Sequence, residues 1–226
     1  MGHYAATLSD LHLIPLDSDN PNTYVSWARS FFNDPRYILN PYLDITLHLD
    51  ITNARSRYDA QNEGTFTAFL YYYLIQALKK YPEFFYRYID GQWLQVSNPA
   101  LFFPIARNER KNRFYEAFIP NIFQLTWPEF SKAYQIEVEN SKQHPRLLGS
   151  HLFVYSLFIG NLPNLQVTGL TLHVNDRFSA QPYFYFGKRY RLNEKLFVSL
   201  SIKFHHSTVD PHIIDLLLEE FQREFQ

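Results

Sequence analysis

The sequence predicts an α+β fold in which helices flank one large, mixed β-sheet. Three observations carry this. Short segments with a period of two are interspersed with longer segments of helical period. They follow no regular βαβ order, which a wholly parallel sheet would require. The chain of 226 residues holds 21 Phe, 17 Tyr and 3 Trp, residues that fit pleated, half-buried strands.

The elements follow in order. Residues 1–22 are polar and turn-rich, with Asp17-Ser18-Asp19-Asn20-Pro21-Asn22, and residues 1–23 are expected to form an N-terminal arm. Residues 24–226 then form a single domain, because no composition shift or linker divides them. A short helix over 24–32 has Trp27 and Phe31 four apart on one face and Arg29 turned away from it. Residues 43–52 alternate, with Leu43, Ile45, Leu47, Leu49 and Ile51 on one side and Asp44, Thr46, His48 and Asp50 on the other, which reads as a half-buried strand. A helix over 65–81 is apolar nearly all round and belongs in the core. Lys79-Lys80 suits its C-terminus, and Pro82 cannot continue it. Residues 84–89 and 92–96 flank Asp90-Gly91, a type I′ hairpin signal. Strands are expected at 101–106 and 114–119, joined by the basic run 107–113, which reads as a solvated hairpin. A helix over 127–143 ends before Pro145. Strands are then expected at 152–158, 166–174, 183–190 and 196–204, and a final helix at 211–225 carries Ile213, Ile214, Leu217, Leu218 and Phe221 at helical spacing.

Composition excludes several classes of function. With 21 Lys+Arg against 22 Asp+Glu, the chain has no overall electrostatic footprint for duplex DNA or an anionic membrane, so no nucleic-acid or membrane partner is expected. Cys is absent, which removes disulfides, thiolate metal ligands and a Cys nucleophile. No stretch of 18 uninterrupted apolar residues occurs, so no spanning helix is expected. Met1-Gly2-His3-Tyr4 lacks a basic n-region followed by an apolar run, so no signal peptide is expected either. Seven Gly provide no phosphate-cradling loop. His144 and His151 flank a loop without a carboxylate at fixed spacing, so no metal site is expected.

The sharpest feature is Phe204-His205-His206-Ser207-Thr208-Val209-Asp210-Pro211, at the end of an apolar strand and directly before a helix. A histidine at a strand end projects from a rigid scaffold, and its near-neutral pKa suits proton abstraction from a hydroxyl. Asp210 could order the loop through an ion pair. A plainer reading stays open: Asp210-Pro211 is an ordinary helix start, Asp capping and Pro at the first helical position, with both histidines as satisfied polar residues.

These residues resemble the signature of the chloramphenicol acetyltransferase family, H-H-x-x-x-D-G after the last strand. Here it reads His205-His206-Ser207-Thr208-Val209-Asp210-Pro211. Other matches fall in family order from residue 24 onward: Trp27-Ala28-Arg29, Leu49-Asp50-Ile51-Thr52, Tyr73-Leu74-Ile75-Gln76-Ala77, Asn161-Leu162-Pro163, Leu172-His173-Val174, Gly187-Lys188 and Leu200-Ser201-Ile202. The resemblance implies a homotrimeric, cytoplasmic O-acetyltransferase that uses acetyl-CoA as co-substrate and a small-molecule hydroxyl acceptor, with active sites at subunit interfaces. It implies His206 as general base and an Asp210–Arg29 pair that holds the loop. Lys188 sits where the family has a lysine near the coenzyme; a solvated turn charge is the other reading.

Four departures accompany the resemblance. The family's oxyanion-stabilising serine is Gly160 here, and the Trp that packs near its coenzyme is Asn164. The Gly that closes the signature is Pro211, which fixes φ and removes an N–H. A threonine near the acceptor pocket becomes Tyr185, expected to reshape that pocket. Gly160 and Asn164 would thus line the coenzyme side and Tyr185 the acceptor side. A relative that has lost catalysis and serves as a trimeric binding protein is the alternative.

Overall fold

The computed structural model describes residues 11–16, 23–143, 150–174 and 179–226. Their strands form two sheets. The larger has the order β2-β9-β8-β7-β5-β6 and is mixed: β7 runs parallel to β5 and β8, and the other pairings are antiparallel. Its strands are β2 (Tyr42–Asp50), β5 (Leu101–Ala106), β6 (Phe114–Ile119), β7 (Leu157–Asn161), β8 (Tyr183–Leu192) and β9 (Lys195–His205). The smaller sheet joins β1 (Leu13–Pro15), β4 (Gln92–Val96) and β3 (Tyr86–Ile89). The expected α+β architecture is the observed one.

One face of the large sheet carries the main core. The helix α3 (Phe66–Leu78) is buried along most of its length, with Phe69, Leu74, Ile75, Ala77 and Leu78 fully enclosed. Thr65 starts it, its hydroxyl accepting from the Ala68 N–H at 3.2 Å. It packs against α4 (Trp127–Gln143) and α6 (Pro211–Arg223), and the Lys80 ammonium just past its end pairs with Glu220 of α6. The opposite face has a smaller apolar cluster of Phe102, Phe158 and Tyr183, with Tyr185, Leu172 and Val174 against it. Nearby, the buried Lys203 pairs with Asp44 at 2.9 Å. The Asp90-Gly91 turn has φ of 49° and 81°, the left-handed values that the expected hairpin needs. Among the described residues, no helix is long and apolar enough to cross a membrane.

The structure differs from the sequence reading in four places. Within the expected arm, Leu13–Pro15 is a strand paired to β4; residues 1–10 and 17–22 lie outside the described ones. The expected strand 43–52 stops at Asp50. The Asp50 carboxylate accepts from the N–H and hydroxyl of Thr52 at 3.0 and 2.6 Å, and a helix α2 (Thr52–Gln61) begins there. The expected strand 152–158 is a short helix α5 (Ser150–Phe153), followed by a turn in which the Ser156 N–H and hydroxyl both donate to the Phe153 carbonyl. The strand therefore starts at Leu157. Residues 166–174 join no ladder. Side chains of β2 hold that segment across the face of the sheet, Leu170 N–H on Thr46 Oγ1 at 3.3 Å and Leu172 N–H on Asp44 Oδ1 at 3.4 Å. The helix α1 (Tyr24–Asn33) keeps Trp27 and Phe31 on one face with Arg29 turned away from it, as expected, and the structure adds that Trp27 is 50% exposed while Arg29 is buried at 7%.

Candidate active site

The signature turn is positioned by the best-anchored strand of the sheet. β9 is hydrogen-bonded on both sides, to β2 along nine registered pairs from Tyr42↔His205 to Asp50↔Phe197, and to β8. Where β9 ends, the His206 N–H donates to the Pro41 carbonyl at 2.8 Å. The Thr208 and Val209 N–H groups both turn back to the His205 carbonyl at 3.1 Å. Asp210 then caps α6, its carboxylate accepting from the N–H groups of His212 at 2.8 Å and Ile213 at 3.0 Å. Pro211 occupies the first helical position, where a missing N–H costs nothing.

The two histidines differ. His205 is buried, with its ring edge on Tyr42 and Trp93, and its Nδ1 accepts from the Ser207 N–H at 3.2 Å. His206 is half-buried, its ring 4.0 Å from the Phe32 ring centroid. Its Nδ1 lies 3.2 Å from the Val209 carbonyl. A carbonyl only accepts, so Nδ1 must carry the hydrogen, and the neutral ring keeps its lone pair on Nε2. That is the tautomer a general base requires. Phe32, Pro41 and Val209, which hold His206 in place, have no sequence signal of their own: each acts through packing or a backbone carbonyl.

The Asp210 carboxylate is turned to the first N–H groups of α6, and Arg29 lies buried on α1. Its helix face borders an open cleft of about 1240 Å³ lined by Ser26, Ser30, Asn33, Tyr88 and Trp93 among others. Burial lowers the Arg29 pKa, and the nearby Tyr86 phenol works in the opposite direction. The α1 helix reaches the signature turn through Phe32 and through Tyr24, whose phenol is raised by burial and then by the Asp210 charge.

The residues expected on the coenzyme side do come together, at the far end of β7 and β8. The Leu162 N–H donates to the Phe186 carbonyl at 2.7 Å, and the Lys188 N–H to the Leu165 carbonyl at 2.8 Å, so the turn holding Asn164 is tied to β8. Asn164 and the Lys188 side chain are exposed. The ladder slips between Phe186 and Arg189, and a Cβ on Gly187 would collide with Ser199 Oγ, so the bulge needs glycine there. Gly160 pairs directly with Tyr185.

One distance follows from the ladder. Tyr185 pairs with Ser201, and His206 lies five positions further along β9, about 17 Å away at about 3.4 Å per residue. Within one chain, about 17 Å of backbone therefore separates His206 from the level of the β7–β8 wall. Among the described residues no cluster of three or more His, Asp or Glu could hold a metal ion; His144 and the His151 side chain lie outside them.

The fold is a mixed six-stranded sheet with helices on its core face and a two-histidine turn leaving the interior strand β9, the arrangement of CoA-dependent acyltransferases. The chloramphenicol acetyltransferase family model matches residues 23–222, and the chain belongs to that family. A solved chloramphenicol acetyltransferase superposes with a TM-score of 0.78 at 19% identity, covering 95% of this chain and all of the other. Dihydrolipoamide acetyltransferase of Azotobacter vinelandii gives 0.64 at 15% identity, with 82% of each chain covered. The truncated catalytic core of a 2-oxoacid dehydrogenase complex from Thermoplasma acidophilum gives 0.65 at 12%, covering 83% of this chain and 87% of that one. At these identities the structural likeness establishes the fold. No curated protein sequence matches the chain.

Proposed function

We propose that this protein is an O-acyltransferase that moves the acetyl group of acetyl-CoA to the hydroxyl of a small molecule, chloramphenicol being one acceptor to test. The observation that carries the reading is His206: its Nδ1 is tied to the Val209 carbonyl, and Nε2 is left as acceptor. In this reading Nε2 takes the proton of the acceptor hydroxyl as that oxygen attacks the thioester carbonyl carbon. The new C–O bond forms and the carbonyl electron pair moves onto oxygen. When the tetrahedral intermediate collapses, the C–S bond breaks and the imidazolium returns its proton to the departing thiolate. Lys188, Asn164 and Gly160 line the coenzyme side, Tyr185 the acceptor side. Asp210 and Arg29 serve by supporting the turn and α1.

The 17 Å separation supports a site shared between subunits, and we propose a cytoplasmic homotrimer. Exposed aromatic surface on α1 fits such an interface: Trp27 stacks on Phe31 at 4.9 Å and Phe31 on Tyr37 at 5.2 Å, with Tyr37 62% exposed. The test combines light scattering with a thiol-release assay over a panel of hydroxyl acceptors. A particle near 81 kDa, three times 27.0 kDa, and release lost in His206→Ala are expected. A 27.0 kDa particle would overturn the shared site. Absence of thiol release and of CoA binding by calorimetry would leave a binding protein, the reading that Gly160 favours.

A further inference from the structure

The β7–β8 wall answers the question raised by Gly160. Tyr185 lies directly across the ladder from it. A Cβ built on Gly160 would lie 2.5 Å from Cδ1 of Tyr185 and closer still to Cε1. No side chain, a serine included, fits at 160 while the ring keeps this position. The ring is wedged from the other side by Phe158, whose centroid is 5.1 Å away. Glycine at 160 is thus the seat of the Tyr185 ring.

The phenol seated there has the properties of a hydrogen-bond donor in waiting. It is half-buried, so a bound molecule can reach it. Burial raises its pKa, which keeps its proton in place at neutral pH. Its hydroxyl makes no hydrogen bond to any described residue. Tyr183, on the same face of β8, is only 5% exposed and cannot present its hydroxyl in the same way.

We propose that the Tyr185 hydroxyl is the oxyanion donor of the acyl transfer, placed on β8 because Gly160 vacates β7. This rests on the acyltransferase reading above. As the acceptor oxygen bonds to the thioester carbon, negative charge develops on the former carbonyl oxygen. The Tyr185 O–H donates a hydrogen bond to it and keeps its proton throughout. The charge returns to the carbonyl when the C–S bond breaks. The donor is preorganised: Gly160 and Phe158 fix the ring before substrate arrives, and such placement makes a donor effective.

The test uses the full chain with acetyl-CoA and the best acceptor from the panel. Tyr185→Phe keeps the ring on Gly160 and removes one hydroxyl. The expected result is a loss of ~10²–10³-fold in kcat with little change in the acceptor KM. CoA affinity by calorimetry and the oligomeric state are expected to be unchanged. Gly160→Ser alone is expected to lose activity because the ring must leave. Gly160→Ser combined with Tyr185→Thr removes the clash and moves the hydroxyl to β7, and is expected to recover at least about tenfold over Tyr185→Phe. Wild-type kcat in Tyr185→Phe, or a raised KM at unchanged kcat, would overturn the assignment and leave the acyltransferase reading standing. A wild-type protein that releases no thiol would overturn both.

Discussion

Arg87 offers the sharpest test of how the fold supports the wall. It is fully buried on β3, and its guanidinium spans four backbone carbonyls: Phe84 at 3.0 Å, Tyr86 at 2.8 Å, Val154 at 2.7 Å and Ser156 at 3.1 Å. It thereby fastens the 153–156 turn, from which β7 starts, to the small sheet. Arg87→Met keeps most of the apolar volume and removes every donor. All four carbonyls lose this partner, but the Ser156 carbonyl still receives Gln181 Nε2 at 3.0 Å, so three are left needing a donor. Each buried acceptor left without a donor costs about 1–3 kcal/mol, while relief from burying a charge returns part of the sum. A net loss of about 2–4 kcal/mol is expected. With a urea m-value of about 3 kcal/mol/M for a chain of this size, the midpoint should fall by about 1 M at unchanged m. The assay is urea unfolding followed by tryptophan fluorescence, at one fixed protomer concentration because assembly contributes to stability. Arg87→Lys cannot span the four carbonyls and should lose most of the same stability. A midpoint for Arg87→Met within about 0.2 M of wild type would refute this account of the staple.

Three further predictions follow from the same coordinates. Asp210→Ala should cost about 1 kcal/mol through the lost helix cap and Asp210→Ser far less, and the losses from Arg29→Ala and Asp210→Ala should add within about 0.5 kcal/mol in a double-mutant cycle; a coupling well above that would show that the two side chains do pair. Burial pushes the Tyr134 phenol up to about 12 and raises Tyr71 as well. Phenols of the unfolded chain titrate near 10, so the neutral forms hold the fold fully below about pH 10 and stability drains as pH rises toward 12; Tyr134→Phe should flatten that decline by about 1.4 kcal/mol per pH unit, measured by denaturant midpoints across the alkaline range. Gly64 has φ of 73°, and a Cβ there would strike Ser131 Oγ, so Gly64→Ala should destabilise by at least about 1–2 kcal/mol, whereas an unchanged melting temperature would mean that the turn relaxes freely.

Much of the fold was legible because several segments carry redundant local signals. The Asp90-Gly91 pair, the apolar run of α3, and the β9–signature–α6 junction each combine periodicity with a turn or cap residue. The helix α2 was invisible for the opposite reason. Its sequence Thr52–Gln61 is polar all round, only Ala54 is buried, and it owes its start to the Asp50 side chain and its end to Asn62 at φ 47°. Residues 166–174 have the composition of a strand, yet what holds them is the side chains of Thr46 and Asp44, which no local pattern encodes. For α1 the periodicity sorted the faces and left open which one is buried. Which face of a helix turns inward depends on its neighbour, and here the hairpin side receives Arg29 while the aromatic ladder remains outside. The proposed base stands in a motif that the sequence shows; the proposed donor does not, because its placement depends on how two distant segments pair.

That contrast has a structural cause. His206 follows β9, a strand paired to β2 and β8, its N–H fixed on the Pro41 carbonyl and its ring held by the Val209 carbonyl and Phe32. Position 160 has no such constraint on its side chain. It faces Tyr185 across a single ladder step, and the space between the two strands can be filled from either side. A hydroxyl on β7 with a small residue on β8, and glycine on β7 with a phenol on β8, are two ways of filling one volume. A side chain at 160 would strike the Tyr185 ring, which is why Gly160 and Tyr185 have to be read together and why, under the proposal above, Gly160 read alone would look like a lost donor.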